Sequence, residues 1–347
     1  MTRTLRIGTR GSQLALVQAR WVAARLAEHG VPTQLLIIRT EGDDRPVDTA
    51  WAEGAFVGRI VGALLNGDVD LAVHSAKDVP TDEHPRLVIA AYPPREDPRD
   101  ALVCRDRGTT LATLPHGARV GTDSPRRVAF LRALRPDLHV HPLHGNVDTR
   151  LAKLDRGDSD ALVLAVAGLT RLGLADRIDD ILPSASVASA PGQGSLALQV
   201  RNDDAEAIAA VGLLDDPATR VAVQAERALL NGTGGGCRSP IGALARVLDD
   251  GSLEVVAAAE RTWSPYAQAT LADAIALIVW VRGIDRPGAN LALAARLAAR
   301  VVVLRERPRV LLGRTDDQAA AVLRALAAHE IDAVNVPSIE IVPAGVG

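Results

Sequence analysis

The sequence predicts an α/β protein built from two doubly wound units and a smaller α+β unit. Three observations carry that expectation. Short apolar strands alternate with amphipathic helical stretches through the first half, the rhythm of largely parallel sheets covered by helices. Pro93, Pro94 and Pro98 break the rhythm between two such stretches. After Pro183 the pattern changes to a glycine-rich loop and alternating strands.

The elements follow in order. Leu5 to Gly8 is a strand, and Ser12 can cap a helix whose apolar residues Leu14, Val17, Trp21, Val22 and Leu26 recur at helical spacing. Leu35 to Ile38 is a second strand, Phe56 to Leu65 a helix, and Leu71 to Val73 a third strand. Beyond the prolines, Arg119 to Gly121 and His139 to Pro142 read as strands, Arg126 to Leu134 and Thr149 to Leu154 as helices. The apolar run from Ala161 to Leu169 fits a buried strand or short core helix, as does Ala274 to Val281. Leu196 to Val200 is another strand, and Thr219 to Leu230 an amphipathic helix. Ile241 to Ala259 holds two alternating strands around an Asp250-Gly251 turn. Residues 287–305 look helical. A last pattern, strand Arg309 to Leu312, helix Asp316 to His329 and strand Ala333 to Val336, is one βαβ unit cut short.

Composition narrows the function. A chain of 347 residues exceeds one hydrophobic core, and 48% hydrophobic residues exclude a disordered chain. A net charge of −3 lacks the basic excess of general nucleic-acid binders. Cys104 and Cys237 are too few for a disulfide scaffold and match no metal-ligand spacing. No stretch reaches the roughly 18 apolar residues of a membrane helix, and the first residues lack a signal-peptide core. With no coiled-coil pattern or apolar stripe, the expectation is a soluble, cytoplasmic monomer. The basic residues are 37 arginines and two lysines, Lys77 and Lys153. Codon composition accounts for the bias, yet arginine is the better fork for carboxylates and phosphates, which keeps an acidic ligand in view.

Four segments carry candidate chemistry. Gly8-Thr9-Arg10-Gly11-Ser12-Gln13 joins a strand to a helix N-terminus, where anions bind; alone it is equally an ordinary βα turn. Ser75-Ala76-Lys77-Asp78 lies at the carboxyl end of a strand, where open α/β sheets place ligands, though Lys77 and Asp78 could be a solvated pair. In Gly121-Thr122-Asp123-Ser124-Pro125-Arg126-Arg127 two arginines open a helix against its macrodipole, and an anion between them would remove the conflict. Three glycines before Cys237 and Arg238 make a loop that can approach a ligand, with a thiol inclined to ionise.

Together these segments resemble the porphobilinogen deaminase (hydroxymethylbilane synthase) family, in order and spacing, over roughly residues 5–260. The match includes Thr40–Asp43 (TEGD), Ala72–Pro80 (AVHSAKDVP), Arg95–Ala101 (REDPRDA), Gly145–Leu151, Ala165–Gly173 (AVAGLTRLG), Pro191–Gly194 and Gly235–Gly242 (GGCRSPIG). The tail from Arg309 to Pro343 is similar, less specifically, to the opening of uroporphyrinogen-III synthase. The resemblance implies two doubly wound domains like those of periplasmic binding proteins and a small α+β domain. Their expected bounds are 1–94 with 195–213, 98–190, 217–305, and a truncated βαβ tail at 307–347. It implies a transferase that condenses four porphobilinogen molecules head to tail, releases ammonia and gives hydroxymethylbilane for tetrapyrrole biosynthesis. A dipyrromethane cofactor would be held covalently on Cys237. Asp78 matches the catalytic aspartate. Cofactor-binding positions match Lys77, Ser75, Ser124, Arg126, Arg127, His144 and Arg150, and substrate-binding positions match Arg10, Ser12, Arg150, Arg171 and Gln193. No metal is implied. A functional link to uroporphyrinogen-III synthase is the one protein partner implied.

Three residues depart from the family's pattern. Glu53 stands where its active-site loop has lysine, Asp123 where it has serine, and His144 where it has arginine. Each makes the site less positive towards a polycarboxylate. An impaired paralogue that binds pyrroles without turnover is therefore the alternative to an active deaminase, with a solute-binding protein third.

Overall fold

The computed structural model describes residues 3–39, 57–82, 84–236, 238–260, 278–286, 288, 290–306, 309–312 and 332–335. The chain opens with β1 (Leu5–Thr9), α1 (Gln13–Glu28), β2 (Thr33–Ile37), α2 (Gly58–Leu65), β3 (Leu71–Ser75) and β4 (Leu87–Ala91). It then crosses to a second lobe made of β5 (Asp100–Cys104), β6 (Arg119–Gly121), α3 (Pro125–Leu134), β7 (His139–His141), α4 (Val147–Asp155), β8 (Ala161–Ala165), α5 (Val166–Arg171) and β9 (Asp180–Leu182). A second crossover returns it to the first lobe for β10 (Leu196–Arg201) and α6 (Ala205–Gly212). Serine caps open two of these helices. Ser12, extended at φ −66 and ψ 147, accepts from Ala15 N, and Ser124 accepts from Arg127 N ahead of Pro125.

The two sheets have matching layouts, β2-β1-β3-β10-β4 and β7-β6-β8-β5-β9. β1 runs parallel to β2 and β3, and β6 parallel to β7 and β8. β10 is antiparallel to β3 and β4, and β5 to β8 and β9. The expected largely parallel sheets therefore each contain one reversed strand, and it is the strand that arrives through a crossover. Such a strand starts at the cleft between the lobes and must run away from it, whereas its neighbours end there. Helices cover both faces: Val22 and Leu26 of α1 and Val211 of α6 pack on one side of the first sheet, Ile60 and Leu64 of α2 on the other. β3 and β8, enclosed on both faces, are apolar almost throughout.

A third unit follows. α7 (Pro217–Gly232), β11 (Ile241–Val247), β12 (Leu253–Glu260), β13 (Ile278–Asp285) and α8 (Asn290–Glu306) form an antiparallel sheet, β11-β12-β13, covered by two helices. Ala225, Leu229, Val255, Ala257, Leu297 and Val301 fill its core. The open reading of Ala274 to Val281 resolves here, within the described residues, as strand β13. β14 (Arg309–Leu312) and β15 (Asp332–Asn335) pair in parallel, while the helix expected at Asp316 to His329 lies outside the described residues. No described helix is long and apolar enough to cross a membrane.

The crossovers touch each other and the third unit. Glu96 N donates to Gly194 O at 3.2 Å. The buried carboxylate of Glu226, on α7, accepts both ends of the Arg95 fork at 2.7 and 2.9 Å, Gly192 N at 2.6 Å and Ala245 N at 2.7 Å. Gly194 sits at φ +86, and a Cβ there would lie 2.3 Å from Glu96 O. Both the dihedral and the space exclude a side chain. Gly194→Ala is expected to lower folding stability by about 2 kcal/mol or more, measured as a reduced denaturant midpoint.

Candidate functional site

The carboxyl ends of β1, β3, β7 and β8 face one cavity of about 260 Å³ between the lobes, closed behind by the second crossover. Its lining includes Arg10, Ser12, Ser75, Lys77, Asp78, Arg127, Arg150, Arg171 and Gln193. Nine of the residues singled out in the sequence thus meet here, from segments up to 183 positions apart. Loops that follow parallel strands supply most of these side chains, as open α/β sheets do.

Asp78 ends a single 3-10 turn, Ala76–Asp78, that follows β3 directly, and its side chain is exposed to the cavity. Two hydrogen bonds from Arg227 of α7, to Val79 O and Pro80 O at 2.8 Å each, hold that turn. Lys77, half-buried beside it, has its ammonium brought down to about 8: burial lowers it, Asp78 pulls it back, and Arg127 adds to the fall. Lys77 Nζ donates to Gln193 Oε1 at 3.4 Å. Ser75 Oγ accepts from Gln18 Nε2 at 3.2 Å, and the Ser12 hydroxyl caps α1.

The cations of the second lobe are held by backbone oxygens. Arg150 Nε donates to Gly145 O, and Arg171 Nη2 to Gly194 O, both at 2.7 Å. Burial, with Arg127 nearby, brings Arg150 down to about 10 against the pull of Asp123. Burial also lowers Arg171, with Glu96 opposing.

The anion that the paired arginines need is internal. Asp100, at the head of β5 and 0% exposed, binds Arg126 Nη2 at 2.8 Å and Arg127 Nη2 and Nε at 2.8 and 3.1 Å. Burial alone would raise its carboxyl, but the two guanidinium groups hold it well below the usual range. Gln193 joins the cluster, its amide donating to Asp100 Oδ1 at 2.9 Å and to Pro98 O at 2.7 Å. Its oxygen, already facing Lys77, lies 3.4 Å from Arg127 Nη2. Lys77 on the first lobe is thereby wired to Asp100 on the second.

Four expected site residues are not among those lining the cavity. Arg126 is spent on Asp100 and Ala188 O, 3% exposed behind the wall. Ser124 serves as the cap of α3. His144 faces Asp123, its Nδ1 3.0 Å from Asp123 Oδ1. Cys237 lies outside the described residues, as do Glu53 and the Thr40–Asp43 segment. Other residues that build the site were given no role of their own: His74, Arg95 and Asp100, which stand inside the matched motifs, and Glu226, which stands in none. An acid heading the otherwise apolar strand Asp100–Cys104, and another on the apolar face of α7, are the signals that could have found Asp100 and Glu226, because such groups are buried only when paired.

Asp100→Asn leaves two buried arginines without a counter-charge, and unfolding stability is expected to fall by about 3–5 kcal/mol in urea titrations. His74, which also lines the cavity, is buried and neutral: burial lowers it from 6.5 to about 4, with Gln199 opposing. The unfolded chain therefore takes up this proton first. Stability tied to neutral His74 is present above pH 6.5 and is lost as pH falls through 4, on the order of 3 kcal/mol. Thermal midpoints measured between pH 7 and 4 should fall less steeply in His74→Gln.

Comparison with known proteins matches residues 5–209 to the family model "Porphobilinogen deaminase, dipyromethane cofactor binding domain" and residues 220–261 to "Porphobilinogen deaminase, C-terminal domain". Similar proteins include the porphobilinogen deaminase of Nocardia farcinica, 51% identical over 255 residues, covering 72% of this chain and 73% of that one. That of Roseiflexus castenholzii is 51% identical, covering 72% and 84%, and that of Mycobacterium leprae 47% identical, covering 71% and 78%. Among solved structures, a periplasmic substrate-binding protein of an ABC transporter from Coxiella burnetii is 16% identical, covering 62% of this chain and 94% of that one, at a TM-score of 0.39. The methionine-binding protein MetQ is 13% identical, covering 61% and 89%, at 0.42. On the length of the matched models and the identity to curated relatives, the chain belongs to the porphobilinogen deaminase family.

Proposed function

We propose that the chain catalyses the head-to-tail condensation of four porphobilinogen molecules, with loss of one ammonia from each, and that water releases the product as hydroxymethylbilane. One observation carries the reading: Asp78 shares its cavity with Arg10, Arg127, Arg150, Arg171 and Lys77. Each pyrrole of the substrate brings two carboxylates, so the guest is a polyanion. The residues present fit it. Two of these cations, Lys77 and Arg150, are already depressed by burial and by the charge of Arg127, and an anionic guest removes that cost.

The dipyrromethane cofactor has the same chemistry and fits the same donors. When bound, it supplies the pyrrole carbon on which the product chain is begun. Arg127 and Arg150, with Lys77 and Ser75, would hold its carboxylates. Arg10, Arg171 and Ser12 would meet the incoming substrate, with Gln193 fixing Lys77 behind them. The Asp78 carboxylate can accept the substrate's pyrrole N–H and face the positive charge that develops as ammonia leaves, which is electrostatic stabilisation with proton transfer at Oδ. Cys237 is the attachment point in this reading.

We further take the protein to act as a cytoplasmic monomer. Its described large exposed apolar residues, such as Trp21, Leu134 and Ile284, lie on separate elements.

Intact-mass measurement of the purified protein tests the proposal. A dipyrromethane adduct is expected, absent from Cys237→Ala; an unmodified wild-type mass with no turnover of porphobilinogen overturns it. Asp78→Asn is expected to keep the fold and lose about 10²- to 10⁴-fold in kcat, read as hydroxymethylbilane formed per second.

A further inference from the structure

Asp123 and His144 are two of the three departures noted within the matched motifs, and the fold sets them against each other. β6 and β7 are adjacent parallel strands, with Gly121 opposite His141 and Thr122 N donating to His141 O at 3.0 Å. The loops that leave their carboxyl ends therefore run side by side. Asp123 stands on the first and His144 on the second, 3.0 Å apart from Oδ1 to Nδ1, with side chains 15% and 13% exposed. Nδ1 is buried and has no aligned hydrogen-bond partner among the described residues, and the Asp123 carboxylate is the group it faces at contact distance.

The next residues lead to the cavity. Gly145 turns at φ +119, and its carbonyl accepts Arg150 Nε at 2.7 Å. The carbonyl of His144 itself accepts Lys153 Nζ at 3.4 Å. Gly145, Asn146, Val147 and Arg150 all line the cavity, whereas Asp123 and His144 are not among its lining residues. Arg150 stands within reach of two charges, Arg127 repelling it and Asp123 attracting it.

We propose that Asp123 and His144 form a latch that fixes the 143–146 turn to the end of β6 and so aims the Arg150 guanidinium at carboxylates in the cavity. Asp123 is a positioning residue acting through His144 and Gly145, and a counter-charge that keeps Arg150 from swinging away from Arg127 while no anion is bound. The two departures are then one coupled change. A carboxylate introduced near a polyanion site is paired with an imidazole, not presented to the ligand. This inference rests on the deaminase reading for its substrate, but not for the latch itself.

The test is a double-mutant cycle with two readouts, KM and kcat for porphobilinogen and amide hydrogen exchange of the 143–150 segment. The variants are Asp123→Ser, His144→Asn, the pair together, Asp123→Asn, and Asp123→Ser combined with Arg150→Lys. Asp123→Ser should raise KM threefold to tenfold with kcat within twofold, and should speed exchange of the segment. The double variant should be no worse than the worse single. Asp123→Asn, which keeps an oxygen and the volume, should recover part of the loss. Lysine has no Nε–H to give Gly145 O, so Asp123→Ser should add nothing in the Arg150→Lys background. Independent, multiplicative effects of the two single changes, or an unchanged KM and exchange rate in Asp123→Ser, overturn the latch whatever happens to thermal stability. If the wild type neither carries the adduct nor turns over porphobilinogen, the deaminase reading falls, and the exchange data still decide the latch.

Discussion

Three parts of the molecule have to agree in position before any ligand can bridge the cavity, and the carboxylate of Glu226 is where they agree. It takes both ends of the Arg95 fork from the first crossover, Gly192 N from the second, and Ala245 N from the third unit. No water reaches it. A buried carboxylate with this many donors tolerates no partial arrangement, because any donor that leaves exposes an unpaired charge to a low-dielectric interior. The same helix, through Arg227, grips the backbone of Val79 and Pro80 just after Asp78. The candidate catalytic acid and the lobe crossovers are thus indexed to one helix, α7, that belongs to neither lobe.

A second buried cluster divides the arginines by task. Asp100 is a single negative charge facing Arg126 and Arg127, so the group retains a net positive charge. Arg126 is enclosed, while Arg127 has an edge on the cavity. The surplus charge is therefore delivered where a carboxylate can reach it. Ion pairs of this kind contribute little net stability over an apolar core. What Asp100 contributes is placement: with Val163 O it draws Arg127 inward from the first turn of a helix whose dipole repels it.

Much of this was legible in the sequence, and the limits are physical. Periodicity located β1, α1, β3 and α7 to within a few residues, and Ser12 acts as the cap its position suggests, while Ser124, expected among the cofactor-binding residues, caps α3. Strand direction was not legible, because the reversal of β5 and β10 follows from where the chain crosses between lobes and leaves no mark in the composition of either strand. The arginine pair was noticed for the right reason, a conflict with the helix dipole. Its resolution was misassigned to a ligand, because Asp100 is 26 residues away and nothing local links the two. Likewise Asp123 and His144 read in the sequence as one added negative charge and one lost positive charge, and the pairing of β6 with β7 brings them into contact.

The excess of arginine over lysine takes on meaning at the cavity wall. Arg150 uses Nε to bind Gly145 O, and Arg171 uses one terminal nitrogen to bind Gly194 O. Each has donors left over on the same rigid plane, aimed by the bond already made. A lysine ammonium can be held by a carbonyl or offered to a ligand, but it has no fixed second edge that the first contact orients. The lysine at this wall, Lys77, follows the other logic. It is a point charge whose neighbours are Asp78 on one side and the Gln193 oxygen on the other, and its lowered affinity for the proton comes from enclosure. An anion that enters beside it restores that proton's hold, so binding of a carboxylate and protonation of Lys77 reinforce each other. A net charge of −3 for the whole chain is compatible with such a site because Arg10, Lys77, Arg127, Arg150 and Arg171 outnumber Asp78 and Asp148 in its lining, and Asp100 is consumed in aiming the arginines.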